Sequence, residues 1–217
     1  MWIRIYENYV DTKDIEKLKN YVRFVQYSRS QFRPNKIRLL LVTIAPAIPQ
    51  EGVWTNGLDE RLIRFFYNTK GESRGRSRLR SRLYSILCYV QENTRQKFFV
   101  NINCTLHRNR YRLSDSENFL SSLKEDGIFV LDTVDLPVPT DVVKEIAKEP
   151  ELLDYLSRNI VELNPQSVVV LWKDMPEVTR DIIRKSAPKA NVVFSRFPRG
   201  EYCPIINDII KALSQND

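Results

Sequence analysis

The chain has 217 residues, 42% hydrophobic and 28% charged, with a net charge of +7; that balance suits a globular protein with a buried core and excludes a fibrous or disordered one. No apolar run approaches the roughly 20 residues of a membrane-spanning helix, and Met1-Trp-Ile-Arg-Ile-Tyr-Glu7 has neither the apolar stretch nor the small-residue cleavage site of a secretory signal. Cys88, Cys104 and Cys203 are widely spaced and His107 is the single histidine, which leaves no disulfide framework, no zinc spacing and no site needing two histidines. A cytoplasmic address with reduced thiols is expected, with no metal and no cofactor.

Ile15, Leu18, Val22 and Val25 recur at helical spacing and predict a helix over 14–27, the unit ending at Pro34-Asn35. Ile37–Ile44 is a continuous branched apolar run, as in a strand buried on both sides; Ala45-Pro-Ala-Ile-Pro49 breaks it. From Ser77 a helix turns Leu79, Leu83, Ile86, Leu87 and Val90 inward, and Lys97–Ile102 and Gly127–Leu131 read as further strands. A helix over 151–163 places Leu152, Leu153, Leu156, Ile160 and Leu163 inward and stops at Asn164-Pro165. Ser167–Trp172 is the next strand, Glu177–Ser186 a helix, Asn191–Phe194 a short strand, and 204–213 a closing helix.

Strands alternating with helices predict an α/β fold. The expectation is a single three-layer αβα domain over 1–217 with a mostly parallel central sheet, residues 1–35 forming an N-terminal helical extension. Ligands of such sheets bind at the carboxyl ends of the strands. The informative segments are therefore 43–50, 101–107, 132–139, 173–174 and 195–202.

The charge is uneven. Residues 1–60 carry +2 and 113–217 carry −6, whereas 61–112 hold thirteen basic residues against Glu72 and Glu92, a local charge of +11. Arg74, Arg76, Arg78, Arg80 and Arg82 alternate with small or apolar residues, and Arg108, Arg110 and Arg112 follow. Such a block suits a polyanion, because each phosphate neutralised releases counterions; the plainer alternative is a solvated helix face. The opening Gly71-Glu-Ser-Arg-Gly-Arg-Ser77 leads into a helix whose first N–H groups can also hold a phosphate. The acidic C-terminal half suits a protein partner.

The strand-end segments resemble the uracil-DNA glycosylase superfamily. Leu123–Val134 resembles the segment whose strand ends in the base-reading asparagine, and Ile44-Ala-Pro-Ala47 the first motif of the branch that lacks an aspartate there. Val168–Asp174 looks like a later strand, Val193–Glu201 occupies the place of the His-Pro-Ser-Pro loop, and Phe99–Asn109 is similar to a Thr-Asn-Val-Val-Lys-Cys stretch of the iron–sulfur branches. The likeness covers about residues 37–213 and implies that fold, DNA as partner and cleavage of the N-glycosidic bond of an altered base.

The departures carry as much weight. Ala45 stands where the best-known branch has its water-positioning aspartate, and Arg196 or Phe197 where it has its histidine. Of these two, Arg196 supplies a positive donor and Phe197 none. Cys104 alone holds no iron–sulfur cluster. Asp132 takes the place of the base-reading asparagine. Ionised, it offers acceptors only and prefers an edge with an amino donor; protonated, it mimics asparagine; a third reading has it capping the next turn.

The resemblance therefore implies Asp132 and Glu51 as candidate catalytic carboxylates, with Asp59 and Glu60 as alternatives for orienting water. Ala45, Pro46, Asn101, Asp132, Arg196 and Phe197 are the candidate base-binding residues. The five arginines of 74–82, with Arg108, Arg110, Arg199 and Tyr202, are the candidate nucleic-acid contacts, Tyr202 or Phe197 serving as a wedge. Three functions stay open: an atypical DNA glycosylase with uracil activity weak or absent, a non-catalytic nucleic-acid-binding relative, and a nucleotide- or nucleoside-processing enzyme.

Overall fold

The computed structural model describes residues 4, 15–45, 60, 63, 65–69, 83–84, 86–87, 90–91, 116–138, 140–195 and 203–214. Strands β1 (Leu39–Thr43), β2 (Ile128–Asp132), β3 (Ser167–Val170) and β4 (Asn191–Phe194) form one sheet in the order β2-β1-β3-β4. Every neighbouring pair is parallel. The helices are α1 (Ile15–Gln31), α2 (Ser116–Glu125), α3 (Thr140–Ile146), α4 (Pro150–Leu163), α5 (Glu177–Ser186) and α6 (Cys203–Ser214). Leu83, Tyr84, Ile86, Leu87, Val90 and Gln91 are also helical.

The expected α/β architecture with a parallel sheet follows from burial on both faces. All of β1, β2 and β3 is buried, so apart from the polar ends Thr43, Asp132 and Ser167 the side chains pointing up and down alike are apolar and the runs show no alternation. Ser167 points to α6, its Oγ donating to the Ala212 carbonyl at 3.0 Å. Phe194, the register partner of Val170, points the other way, under the guanidinium groups of Arg180 and Arg184 of α5. Alternation along a strand puts α5 and α6 on opposite faces, which makes three layers. Helix α4 packs on α5, and α2 on β2.

Local signals set the element ends. Pro150 opens α4, where its missing N–H costs nothing, and Asn164 closes it in the left-handed region (φ 42°), its N–H donating to the Ile160 carbonyl. Leu152, Leu156, Ile160 and Leu163 are its buried stripe; Leu153, expected inward, is only half-buried. Gly127 enters β2 at φ +72°, and a Cβ there would lie 2.9 Å from the Lys36 carbonyl oxygen. Only glycine fits that crossing of two backbones.

Several elements differ from the sequence reading. Helix α1 runs on to Gln31, and its Tyr21 and Val25 are wholly buried in the common core. Strand β3 stops at Val170, short of Trp172. Helices α2 and α3 were not expected: α2 has few apolar residues, and seven residues of α3 are too few to display a helical period. The strand expected over 97–102 lies outside the described residues. Among the described residues no helix is long and apolar enough to cross a membrane.

Candidate ligand site at the carboxyl edge of the sheet

Strands β1 and β3 are neighbours although β2 intervenes in sequence. The winding therefore reverses between them, and the crevice at their carboxyl ends is where open parallel sheets bind ligands. Ala45 lies half-buried just past β1, and Leu171 and Trp172 are buried past β3, with exposed Lys173 and Asp174 following. Ser195 is buried past β4. Its N–H donates to the Val170 carbonyl at 2.9 Å, while its Oγ has no hydrogen-bond partner.

Asp132 ends β2 as the register partner of Thr43. Thr43 Oγ1 donates to Asp132 Oδ1, and Arg29 Nη2 donates to Asp132 Oδ2 at 3.3 Å. The same Nη2 donates to Asp135 Oδ1 at 2.5 Å, and Tyr155 OH donates to Asp135 Oδ2 at 2.8 Å. The Arg29 guanidinium lies 5.4 Å from the Phe65 ring centroid, and its Nε is buried with no partner. The Arg29 and Asp132 side chains are each 7% exposed and Asp135 is sealed. One cation thus serves two carboxylates out of water.

That imbalance shapes the titration. Burial pushes the Asp132 carboxyl up to about 6, opposed by Arg29 and Thr43 and assisted by Asp135. Burial works against the Arg29 charge too, but Asp135 and Asp132 outweigh it and hold the guanidinium above its ordinary value. Burial raises the Tyr21, Tyr67 and Tyr155 phenols, which stay neutral at any ordinary pH.

Of the residues expected at the site, Asp132 and Ala45 are at this edge, on neighbouring strands. The Asp132 carboxylate is engaged by Thr43 and Arg29 and does not cap the following turn. Glu60 lies instead in a cleft with Phe24 and Tyr67. Glu51, Asp59, Pro46, Asn101, Arg196, Phe197, Arg199 and Tyr202 lie outside the described residues, as do Arg74, Arg76, Arg78, Arg80, Arg82, Arg108, Arg110 and Arg112.

Sequence reasoning passed over Arg29, Asp135 and Tyr155. A signal for Arg29 was present: it continues the apolar stripe of Leu18, Val22 and Val25 at helical spacing. A charged residue on a core stripe needs a buried counter-charge. Among the described residues no group of His, Cys, Asp and Glu has the geometry to hold a metal ion. Comparison with protein-family models, with curated proteins and with solved structures finds no match to this chain.

Proposed function

We propose that the chain is a divergent uracil-DNA glycosylase-like protein that binds DNA, hydrolyses the N-glycosidic bond of an altered base, and has weak or absent activity on uracil. The observation supporting this is one of placement. Four of the segments carrying the resemblance contain Ala45, Asp132, Trp172 and Ser195, residues that end or closely follow the four strands at the carboxyl edge of one parallel sheet. The arginine-rich stretch 74–82 supplies the charge that holds the phosphates.

The chemistry asks little covalent work of the protein. Positive charge developing on the sugar and negative charge on the departing base need stabilising in a dry site. The base must also leave the helix, an unstacking repaid by contacts in the pocket. With its carboxylate held by Thr43 and Arg29, Asp132 presents acceptors rather than the mixed edge of asparagine, which disfavours uracil.

A second reading, a nucleic-acid-binding module without catalysis, is favoured by the same engagement of Asp132. Alkali-induced scission of labelled oligonucleotides containing uracil, hypoxanthine, xanthine or normal bases separates the two, with Asp132→Ala protein alongside. Scission lost in the variant supports the enzyme. Salt-sensitive binding without scission supports the module. Neither scission nor binding overturns both.

A further inference from the structure

Helix α1 carries two stripes. Leu18, Tyr21, Val22 and Val25 face the core, while Phe24, Tyr27, Ser28 and Gln31, at the same helical spacing, face a cleft of about 330 Å³. Across the cleft α2 presents Glu117, Ser121 and Lys124. Phe32 stacks on Tyr67 at one end, their planes 11° apart and centroids 6.0 Å apart. The Tyr67 hydroxyl accepts the outward N–H of Val130, so the cleft lies over the outer edge of β2, away from the β1–β3 crevice.

Its lining combines ring faces with idle polar groups. Tyr27 is 67% exposed, the most exposed large apolar side chain among the described residues. Ser28 is more than nine-tenths buried, yet its hydroxyl has no hydrogen-bond partner among the described residues. Ser121 and Thr69 are half-buried and Gln31 and Glu117 exposed, and none of the four makes a side-chain hydrogen bond among the described residues. These polar groups converge on the open space of the cleft, where a ligand can reach them.

We propose that this cleft is a stacking subsite for a nucleobase. A purely apolar ligand would leave Ser28 and Ser121 dry and unpaired. A simple cation meets Glu60 and Glu117 but also Lys124 and aromatic rings it does not need, and an inorganic anion meets one lysine against two carboxylates. An aromatic side chain from a protein offers at most one polar atom to several hydroxyls and an amide. A base offers a flat face for Phe24 and Tyr27 and an edge of donors and acceptors for Ser28, Gln31 and Ser121. Glu117 and Lys124 are seven residues apart, roughly 10 Å along the helix. A strand backbone therefore passes at the Lys124 end, where Nζ also meets the Gln31 carbonyl at 3.1 Å.

That the base belongs to a nucleic-acid strand rests on the function proposed above; the alternative source is a free nucleoside. Two variants test the site: Tyr27→Ala, at an exposed position that leaves the fold intact, and Ser28→Leu, which fills the cleft. A single-stranded oligonucleotide carrying 5-iodouracil should photocrosslink to the peptide spanning 24–32. Its affinity should fall about 5- to 100-fold in both variants, with thermal melting of Tyr27→Ala unchanged. Affinity unchanged in both, while arginine substitutions at 74–82 still reduce it, overturns the subsite and leaves nucleic-acid binding standing. Cleft resonances shifted by uridine or adenosine, without oligonucleotide binding, keep the nucleobase site and overturn its strand source together with the DNA reading. Shifts with N-acetyltryptophanamide but no nucleoside assign the cleft to a protein partner and overturn the proposal.

Discussion

Arg29 and Arg184 make the same contacts in opposite surroundings. Each bridges two carboxylates and lies over an aromatic ring: Arg29 joins Asp132 and Asp135 above Phe65, and Arg184 joins Glu177 and Asp181 above Phe194. The distances are similar, 3.3 and 2.5 Å in the first and 3.1 and 2.9 Å in the second. Yet Arg29 is 7% exposed and Arg184 47%. In the interior, desolvation makes every missing partner costly. On the surface, water substitutes for a lost partner and the pair contributes little. Contact lists alone would rank the two triads equal; burial separates them.

The sharpest test removes the buried cation. Arg29→Met keeps most of the side-chain volume but strands Asp132 and Asp135 without a counter-charge. Loss of one partner from a buried pair costs about 3–5 kcal/mol, a third or more of the stability of many domains. Urea unfolding at neutral pH should show it, with partial recovery in acid as the carboxylates protonate. A loss under about 1 kcal/mol would mean that water reaches the triad and that the contrast with Arg184 is false.

Titration gives the next largest effect. The Asp132 carboxyl sits at about 6 in the fold, against about 3.9 in an unfolded chain. Between those values the folded state binds more proton than the unfolded state, so this group's contribution falls as pH rises from about 4 to about 6. The drop is roughly 3 kcal/mol, complete above the upper value. Asp132→Asn carries no titratable group. Its stability relative to wild type should therefore rise by that amount from pH 4 to pH 7, read from urea midpoints across the range. A pH-independent difference would place Asp132 in a wetter setting than its burial implies.

Two hydroxyls give smaller effects, one beside Asp135 and one at the outer edge of β2. Tyr155→Phe removes a donor to Asp135, and hydrogen bonds to charged groups are worth about 1.5–3 kcal/mol; partial exposure of Tyr155 puts the expected loss near the lower figure. Tyr67→Phe leaves the buried Val130 N–H without its 2.6 Å acceptor, at about 1–3 kcal/mol. Both variants should unfold at lower urea with unchanged cooperativity.

The sheet was legible because strands buried on both sides must be continuous apolar runs, and Leu39–Thr43, Ile128–Asp132 and Ser167–Val170 are such runs. Helix α5 and strand β4 matched to the residue, since Pro176 and Pro188 leave little freedom in their boundaries. The charged site was only half legible. Asp132 is conspicuous at a strand end, but its partners come from 103 and 89 residues upstream, and Asp135 of the next turn joins it only through Arg29. No spacing rule links residues so distant. Tyr155 reads as one more aromatic on an amphipathic helix until α4 is placed beside the β2 end.

The smallest expected effect is the most demanding of the comparison. Arg184→Gln breaks both ion pairs of the exposed triad and thins the cover over Phe194, while Arg180 remains 5.3 Å from that ring. The neighbouring groups bind the Arg184 guanidinium favourably enough to raise its pKa, chiefly through the hydrogen bond to Glu177, but at a half-exposed site solvent screening keeps such a preference from becoming stability. Helix α5 is held by Thr179, whose hydroxyl donates to the Ala147 carbonyl at 2.7 Å, and by buried Ile183, neither of which the substitution touches. The melting midpoint should therefore stay where it is, in low salt and in high. If it falls as far as that of Tyr155→Phe, the stabilising quantity is the bridged geometry itself, and burial is not what sets Arg29 apart.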